Sequence, residues 1–82
     1  MESISVDKSA TLTSPFVTPT MTVGPLVTQV QRFLSLDVQY RQRCSLNVSA
    51  PIRLDHWETA RTYLDAPAID DLATVMKARG VL

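Results

Sequence analysis

Apolar and polar residues alternate along a fifteen-residue stretch in the middle of the chain. The even positions from Leu36 to Ala50 are apolar, with Gln42 as the one exception, and the odd positions between them are polar. A period of two is typical of a strand with one buried face and one wet face. The pattern therefore predicts a long strand over about 35–50, or a hairpin bent near Gln42, where the apolar row is interrupted.

The segment before this strand divides at Gly24-Pro25. Residues 1–23 are rich in Ser and Thr, and Pro15 and Pro19 disfavour a helix there. We interpret 1–23 as an extended or flexible arm that lies along a sheet edge or on another subunit, the alternative being a disordered terminus. In 26–34 the apolar spacing fits one face of a helix, so a short helix over 25–34 is predicted. The same residues also fit the strand frame, which leaves a strand as the alternative.

Two helices are predicted after the strand, which Pro51 should end because proline cannot donate to a ladder. Asp55, with Glu58 three residues later, is a variant of the capping box and favours a helix over 55–64. A second helix is expected over 68–79, with Gly80 at its left-handed cap.

These elements predict an α+β domain over 24–82 that carries the arm. Two helices cover one face of a sheet, but a single strand is not a sheet, and no segment offers a convincing neighbour. A second copy is the expected source of the missing strand, so a homo-oligomer is predicted. The residues expected to form the sheet core, helical cover and interface are Leu36, Val38, Tyr40, Leu46, Val48, Trp57, Leu64, Leu72 and Met76.

Composition excludes several classes of protein. The net charge is zero, so no overall field draws the chain to nucleic acid or anionic lipid. Cys44 is the only cysteine, which excludes an internal disulfide and argues against a structural zinc site. No apolar segment reaches the length of a membrane span, and the first residues lack the features of a signal peptide. We therefore expect no membrane partner and a cytoplasmic location, alone or within an assembled particle.

Candidate chemistry is sparse. His56 is the only histidine, and on a helix its acidic neighbours Asp55 and Glu58 would not face it. Two glycines cannot form a glycine-rich phosphate loop. No catalytic residue, metal site or cofactor is predicted.

The predicted order of strand, helix and helix over 43–82 resembles that of the ribbon-helix-helix repressors. The resemblance implies a paired ribbon in the major groove, with Arg43, Ser45, Asn47 and Ser49 facing the bases. Separately, Arg41 and Arg43, joined by Arg32 or Arg53, are a candidate patch for RNA or for the acidic surface of a partner. The alternative is that these arginines form a solvated polar face of the strand. The acidic residues Asp65, Asp70 and Asp71 near the second helix and the zero net charge count against it.

The sequence thus favours a non-catalytic module for self-association or macromolecular binding, with another protein as a further partner of the arm. A small structural or accessory protein of a virus or phage would fit this build. A nucleic-acid-binding regulator is the alternative.

Overall fold

In a computed structural model, which describes residues 4–82, four strands form one antiparallel sheet. The strands are β1 (Ser9–Thr13), β2 (Met21–Pro25), β3 (Ser45–Ile52) and β4 (Arg61–Asp65), and their order across the sheet is β2-β1-β3-β4. The helices are α1 (Leu26–Ser35), α2 (Val38–Arg41) and α3 (Ala66–Ala78). The predicted α+β class is confirmed.

The chain is built as two hairpin–helix units. The first is β1-β2-α1, the second is β3-β4-α3, and the short helix α2 links them. The units join where β1 pairs with β3, and each long helix packs on the strands of its own unit. The two hairpin partners, β2 and β4, therefore become the edges of the sheet.

The core lies between the two long helices and one face of the sheet. Leu12, Leu46 and Leu64 lie opposite one another on β1, β3 and β4, and all three are fully buried. The helices cover this row with six large, fully buried side chains: Leu26, Val30, Phe33, Ile69, Leu72 and Met76. Each fully buried apolar side chain contributes about 1.5–3 kcal/mol relative to exposure.

This core closes within one chain. The radius of gyration is 11.6 Å, against about 11.7 Å expected for a compact domain of this length. The accessible surface of 4763 Å² is close to the roughly 4,900 Å² typical of a folded monomer of this mass. A second copy is therefore not needed to complete the sheet.

The prediction of one strand over 35–50 is wrong in its first half. Val38–Arg41 form α2, in which the Tyr40 and Arg41 amides both donate to the Asp37 carbonyl. The chain must reverse between α1 and β3, and it turns at Gln42 and Arg43, next to the interruption in the apolar row. β3 also continues past Pro51, because the register with β4 is irregular between Asn47 and Ile52 and a proline is tolerated at such a bulge.

The separate arm over 1–23 is also a correction. Residues 1–3 lie outside the described residues, but β1 occupies the centre of the sheet between β2 and β3. Ala10 and Leu12 are almost fully buried. Residues 4–23 therefore belong to the same folded unit as the rest, and β1 supplies the neighbour that β3 needs.

The helix predicted over 55–64 is wrong. A turn closed by the Trp57 amide and the Leu54 carbonyl is followed by β4 instead. A helix would have aligned Trp57, Ala60 and Leu64, yet Ala60 is exposed. As a strand, the segment puts Leu64 beside Leu46 in the core and pairs its backbone with β3.

The other two helix predictions are confirmed, with one shifted boundary. Residues 26–34 are helical, as preferred over the strand alternative. α3 begins at Ala66 rather than 68, because Asp65 caps it and Pro67 is tolerated in a first turn. Gly80 has φ 76° and the Val81 amide donates to the Met76 carbonyl at 3.0 Å, which is the left-handed cap expected from the sequence.

Candidate interaction surface

The face of the sheet opposite the helices carries no covering element in the described part of the chain. Two rows of opposed residues cross it, and together they define what we call the open face: Val23, Thr11, Asn47 and Tyr63 in one row, and Met21, Thr13, Ser45 and Asp65 in the other. Strand alternation places these residues opposite the buried ones.

Exposed apolar side chains lie on the outer strands of the open face. The exposed fractions are 60% for Met21, 68% for Val23 and 58% for Tyr63. The inner strands contribute Thr, Ser and Asn, which offer neutral hydrogen-bonding groups. The open face therefore carries Met21, Val23 and Tyr63 on its flanks, with Asp65 beside Tyr63 on β4, and neutral polar groups in its centre.

Both sheet edges are also exposed. Within residues 4–82, β2 pairs only with β1, and β4 pairs only with β3. Every β4 residue except Leu64 is exposed. An edge strand presents unpaired backbone N–H and C=O groups, which are a template for pairing with another chain.

Arg41, predicted to contact nucleic acid or a partner, serves the fold instead. Its Nε donates to the Leu36 carbonyl at 2.8 Å and its Nη2 donates to the Leu34 carbonyl. Its guanidinium lies 5.9 Å from the centroid of the Phe33 ring. Because carbonyls at the end of a helix lack intrahelical partners, Arg41 stabilises the end of α1.

The guanidinium groups of Arg43 and Arg61 each lie over an aromatic ring. The Arg43 guanidinium lies 5.8 Å from the centroid of Phe16, which is 64% exposed. The Arg61 guanidinium lies 4.3 Å from the centroid of the buried Trp57. A guanidinium carries five N–H donors, so one that lies over an aromatic ring can still donate to a further partner.

The remaining predicted contact residues, Asn47 and Arg53, belong to β3 and to the segment that follows it. Asn47 is exposed on the open face between Thr11 and Tyr63. Arg53 follows β3, is partly buried and already has a contact within the chain.

Most of the predicted core residues are buried, but not always on the predicted element. Leu46, Leu72 and Met76 are buried as expected, while Trp57 is buried in a loop and Leu64 on β4. The others depart from the predicted sheet core. Leu36 and Val48 are partly buried against the core, Tyr40 is partly buried on α2, and Val38 is 65% exposed.

His56 and Cys44 are the titratable residues that the sequence singled out for possible chemistry. His56 Nε2 lies 3.3 Å from Asp71 Oδ2, and both side chains are more than half exposed. Burial raises the pKa of the Cys44 thiol above its ordinary value of 9.0, and Sγ donates to the Tyr40 carbonyl at 3.4 Å. Cys44 is thus a core residue rather than an activated nucleophile.

Residues 4–82 contain no group of three or more His, Cys, Asp or Glu side chains placed to hold a metal ion. No helix in this range is long and apolar enough to cross a membrane.

Alternation in the sequence does not identify Met21, Val23 and Tyr63 as surface residues. Each lies in a strand of five residues, which is too short for alternation to stand out from its surroundings. Comparison with known proteins adds no further assignment, because no family model, curated protein or solved structure matches this chain.

Proposed function

We propose that this protein is a non-catalytic module that associates with copies of itself through its sheet. The observation that carries the proposal is the open face of the sheet. Tyr63 is 58% exposed on this face and lies on the edge strand β4. Burying an exposed apolar surface of this kind is the main driving force of protein association.

The charge balance supports a second copy as the partner. The formal net charge is zero and the sequence pI is about 6.5. A protein without net charge experiences little mutual repulsion between its copies at neutral pH. Because the core closes within one chain, the association is between folded monomers, and variants at the interface are expected to remain folded.

The experiment is a measurement of mass against concentration by sedimentation equilibrium. We expect a dimer or a larger species at tens of micromolar protein. Tyr63→Lys should shift the equilibrium toward the monomer, because it places an ammonium group where an aromatic ring is buried on association.

The matched control is Val38→Lys, since Val38 is 65% exposed but lies on α2 rather than on the sheet. It should leave the association constant unchanged. A monomer at all concentrations, or equal weakening by both variants, would refute the proposal.

Nucleic-acid binding is the second candidate, and Tyr63 beside Asn47 on an open antiparallel sheet is the observation that favours it. Exposed aromatic rings on such a face stack with unpaired bases, and Arg43 over Phe16 adds a cation near the sheet. The ribbon-helix-helix geometry is not the basis of this candidate. β3 lies inside the sheet between β1 and β4. A loop and the strand β4 occupy the place of the helix predicted over 55–64.

A filter-binding assay with single-stranded RNA and DNA tests this candidate. Binding at low salt that falls steeply with added salt is expected, and Arg43→Ala should weaken it. Lys77→Ala, on the exposed side of α3, is the control and should have a smaller effect. Absence of binding at about 50 mM salt would eliminate the candidate.

A further inference from the structure

The edge strand β4 has a charge pattern that is complementary to itself. Its sequence is Arg61-Thr62-Tyr63-Leu64-Asp65, with a cation at one end, an anion at the other and Tyr63 at the centre. Read antiparallel, the strand places each charge opposite its counterion.

We propose that β4 pairs antiparallel with β4 of a second copy, about a two-fold axis at Tyr63, so that two four-stranded sheets become one of eight strands. Each Arg61 then lies opposite the second copy's Asp65. This inference rests on the proposed function and deepens it by naming the edge and the register.

The charges select one register. Centring the pair on Tyr63 brings both Arg61–Asp65 pairs into opposition, and opposite charges across an antiparallel pair are stabilising. Centring it on Thr62 puts Arg61 opposite Tyr63, and centring it on Leu64 puts Arg61 opposite Pro67. Neither alternative pairs the charges.

Contacts within the chain hold both Arg61 and Asp65, and each side chain still has atoms that can bind a second copy. The Arg61 guanidinium lies 4.3 Å from the centroid of the Trp57 ring, which is 4% exposed, and with five N–H donors it can still donate to a further partner. Asp65 Oδ1 accepts the Ala68 amide at 3.1 Å as the cap of α3. Its second oxygen, Oδ2, has lone pairs to accept a guanidinium N–H. Little side-chain freedom is then lost on pairing, which favours association.

The other edge fits a second copy less well. β2 contains Gly24 and ends at Pro25, and it carries no charge. Self-pairing about Val23 would oppose Met21 to Pro25, which has no N–H to donate. Pairing β2 with β4 of another copy is a head-to-tail contact, which leaves one free edge on each copy and has no two-fold axis.

Charges on edge strands ordinarily discourage pairing between copies. On β4 the two-fold register converts that repulsion into attraction, because the strand carries one charge of each sign at equal distance from its centre. Pairing of β4 with β4 is therefore stabilised by charge in the register centred on Tyr63 and not in the neighbouring registers.

Charge reversal tests the register. Arg61→Glu and Asp65→Lys each put like charges opposite one another twice, and each should weaken the dimer by roughly tenfold or more. An equimolar mixture of the two variants should restore the dimer, since the introduced charges are opposite and face each other in the mixed pair. Arg43→Glu and Asp70→Lys, which make the same charge changes elsewhere on exposed residues, are the controls and should leave the wild-type affinity unchanged.

Cross-linking tests the two-fold axis without disturbing the cap at Asp65. Opposed residues in an antiparallel pair have Cα atoms about 4.5–5.5 Å apart, within the range of a disulfide. In a Cys44→Ala background, Tyr63→Cys should form a disulfide-linked dimer under mild oxidation. Val23→Cys, at a similarly exposed position on β2, should not.

The outcomes separate this inference from the proposed function. A wild-type monomer at all concentrations refutes both. A dimer that survives both charge reversals, or that cross-links through Val23→Cys and not through Tyr63→Cys, refutes the β4 register and leaves self-association standing. Restoration of the dimer on mixing, with the Tyr63→Cys link, supports both.

Discussion

The three arginines Arg41, Arg43 and Arg61 show how much the role of a residue depends on what lies around it. All three are cations near aromatic rings, at 5.9, 5.8 and 4.3 Å. Only Arg41 also donates to two backbone carbonyls at the end of a helix. Arg41 therefore has a structural role, whereas Arg43 and Arg61 are exposed at the surface.

At the residue scale we predict that Arg41→Ala destabilises the fold by about 1–2 kcal/mol. It removes two charge-assisted hydrogen bonds and leaves the Leu34 and Leu36 carbonyls without that donor. The free energy of unfolding in urea measures the effect.

Arg43→Ala is the matched control for this prediction. Arg43 is exposed, and surface substitutions usually change stability by no more than about 0.5 kcal/mol. Equal stability losses in the two variants would contradict the capping role of Arg41.

At the element scale, β4 and α3 meet at Asp65, which takes part in both elements. Asp65 is the last residue of β4 and the N-cap of α3. Residues 65–67 lie between the helices predicted over 55–64 and 68–79. In the structure they are instead a direct passage from strand to helix, because the Asp65 carboxylate accepts a first-turn amide of α3.

We predict that Asp65→Ala costs about 1 kcal/mol of stability, the usual effect of losing an N-cap side chain. Asp65→Asn should retain most of the stability, since Asn caps about as well as Asp. Thermal unfolding of the two variants measures the difference.

Asp70→Ala provides the comparison within the same helix. Asp70 is exposed and its side chain does not cap the first turn, so a change of less than about 0.5 kcal/mol is expected. If Asp65→Asn loses as much stability as Asp65→Ala, the cap is not the source of the effect.

At the scale of the whole molecule, the N-terminal segment determines whether a monomer folds. β1 lies between β2 and β3, and Leu12 is fully buried in the row that contains Leu46 and Leu64. The chain therefore needs its N-terminal half to complete a sheet that the C-terminal half begins.

We predict that Leu12→Ala destabilises the protein by about 2–5 kcal/mol, the range for a leucine truncated in a packed core. Val23→Ala, on the exposed face of β2, is the control and should cost far less. Chemical denaturation of both variants decides the matter. A small effect of Leu12→Ala would restore the interpretation of 1–23 as an arm outside the folded domain.

Local signals in the sequence were sufficient for the elements whose interactions are local. The helix over 26–34 follows from its apolar spacing. The end of α3 follows from Gly80, because glycine adopts a positive φ without strain. The alternation over Leu46 and Val48 correctly marked the buried side of β3. The apolar residues of α3 likewise identified its buried stripe.

Tertiary structure alone decided which segments became strands and what the surface offers. β1, β2 and β4 are five-residue strands whose pairing energy comes from neighbours distant in the chain, so neither propensity nor a short alternation identifies them. The same long-range pairing turned β4 outward as an edge and brought Trp57 under Arg61. β3, the part of the predicted strand over 35–50 that forms, pairs with β1 and β4 of the same chain. An exposed edge lies instead at Arg61–Asp65, a segment that the sequence predicts to be mostly helical.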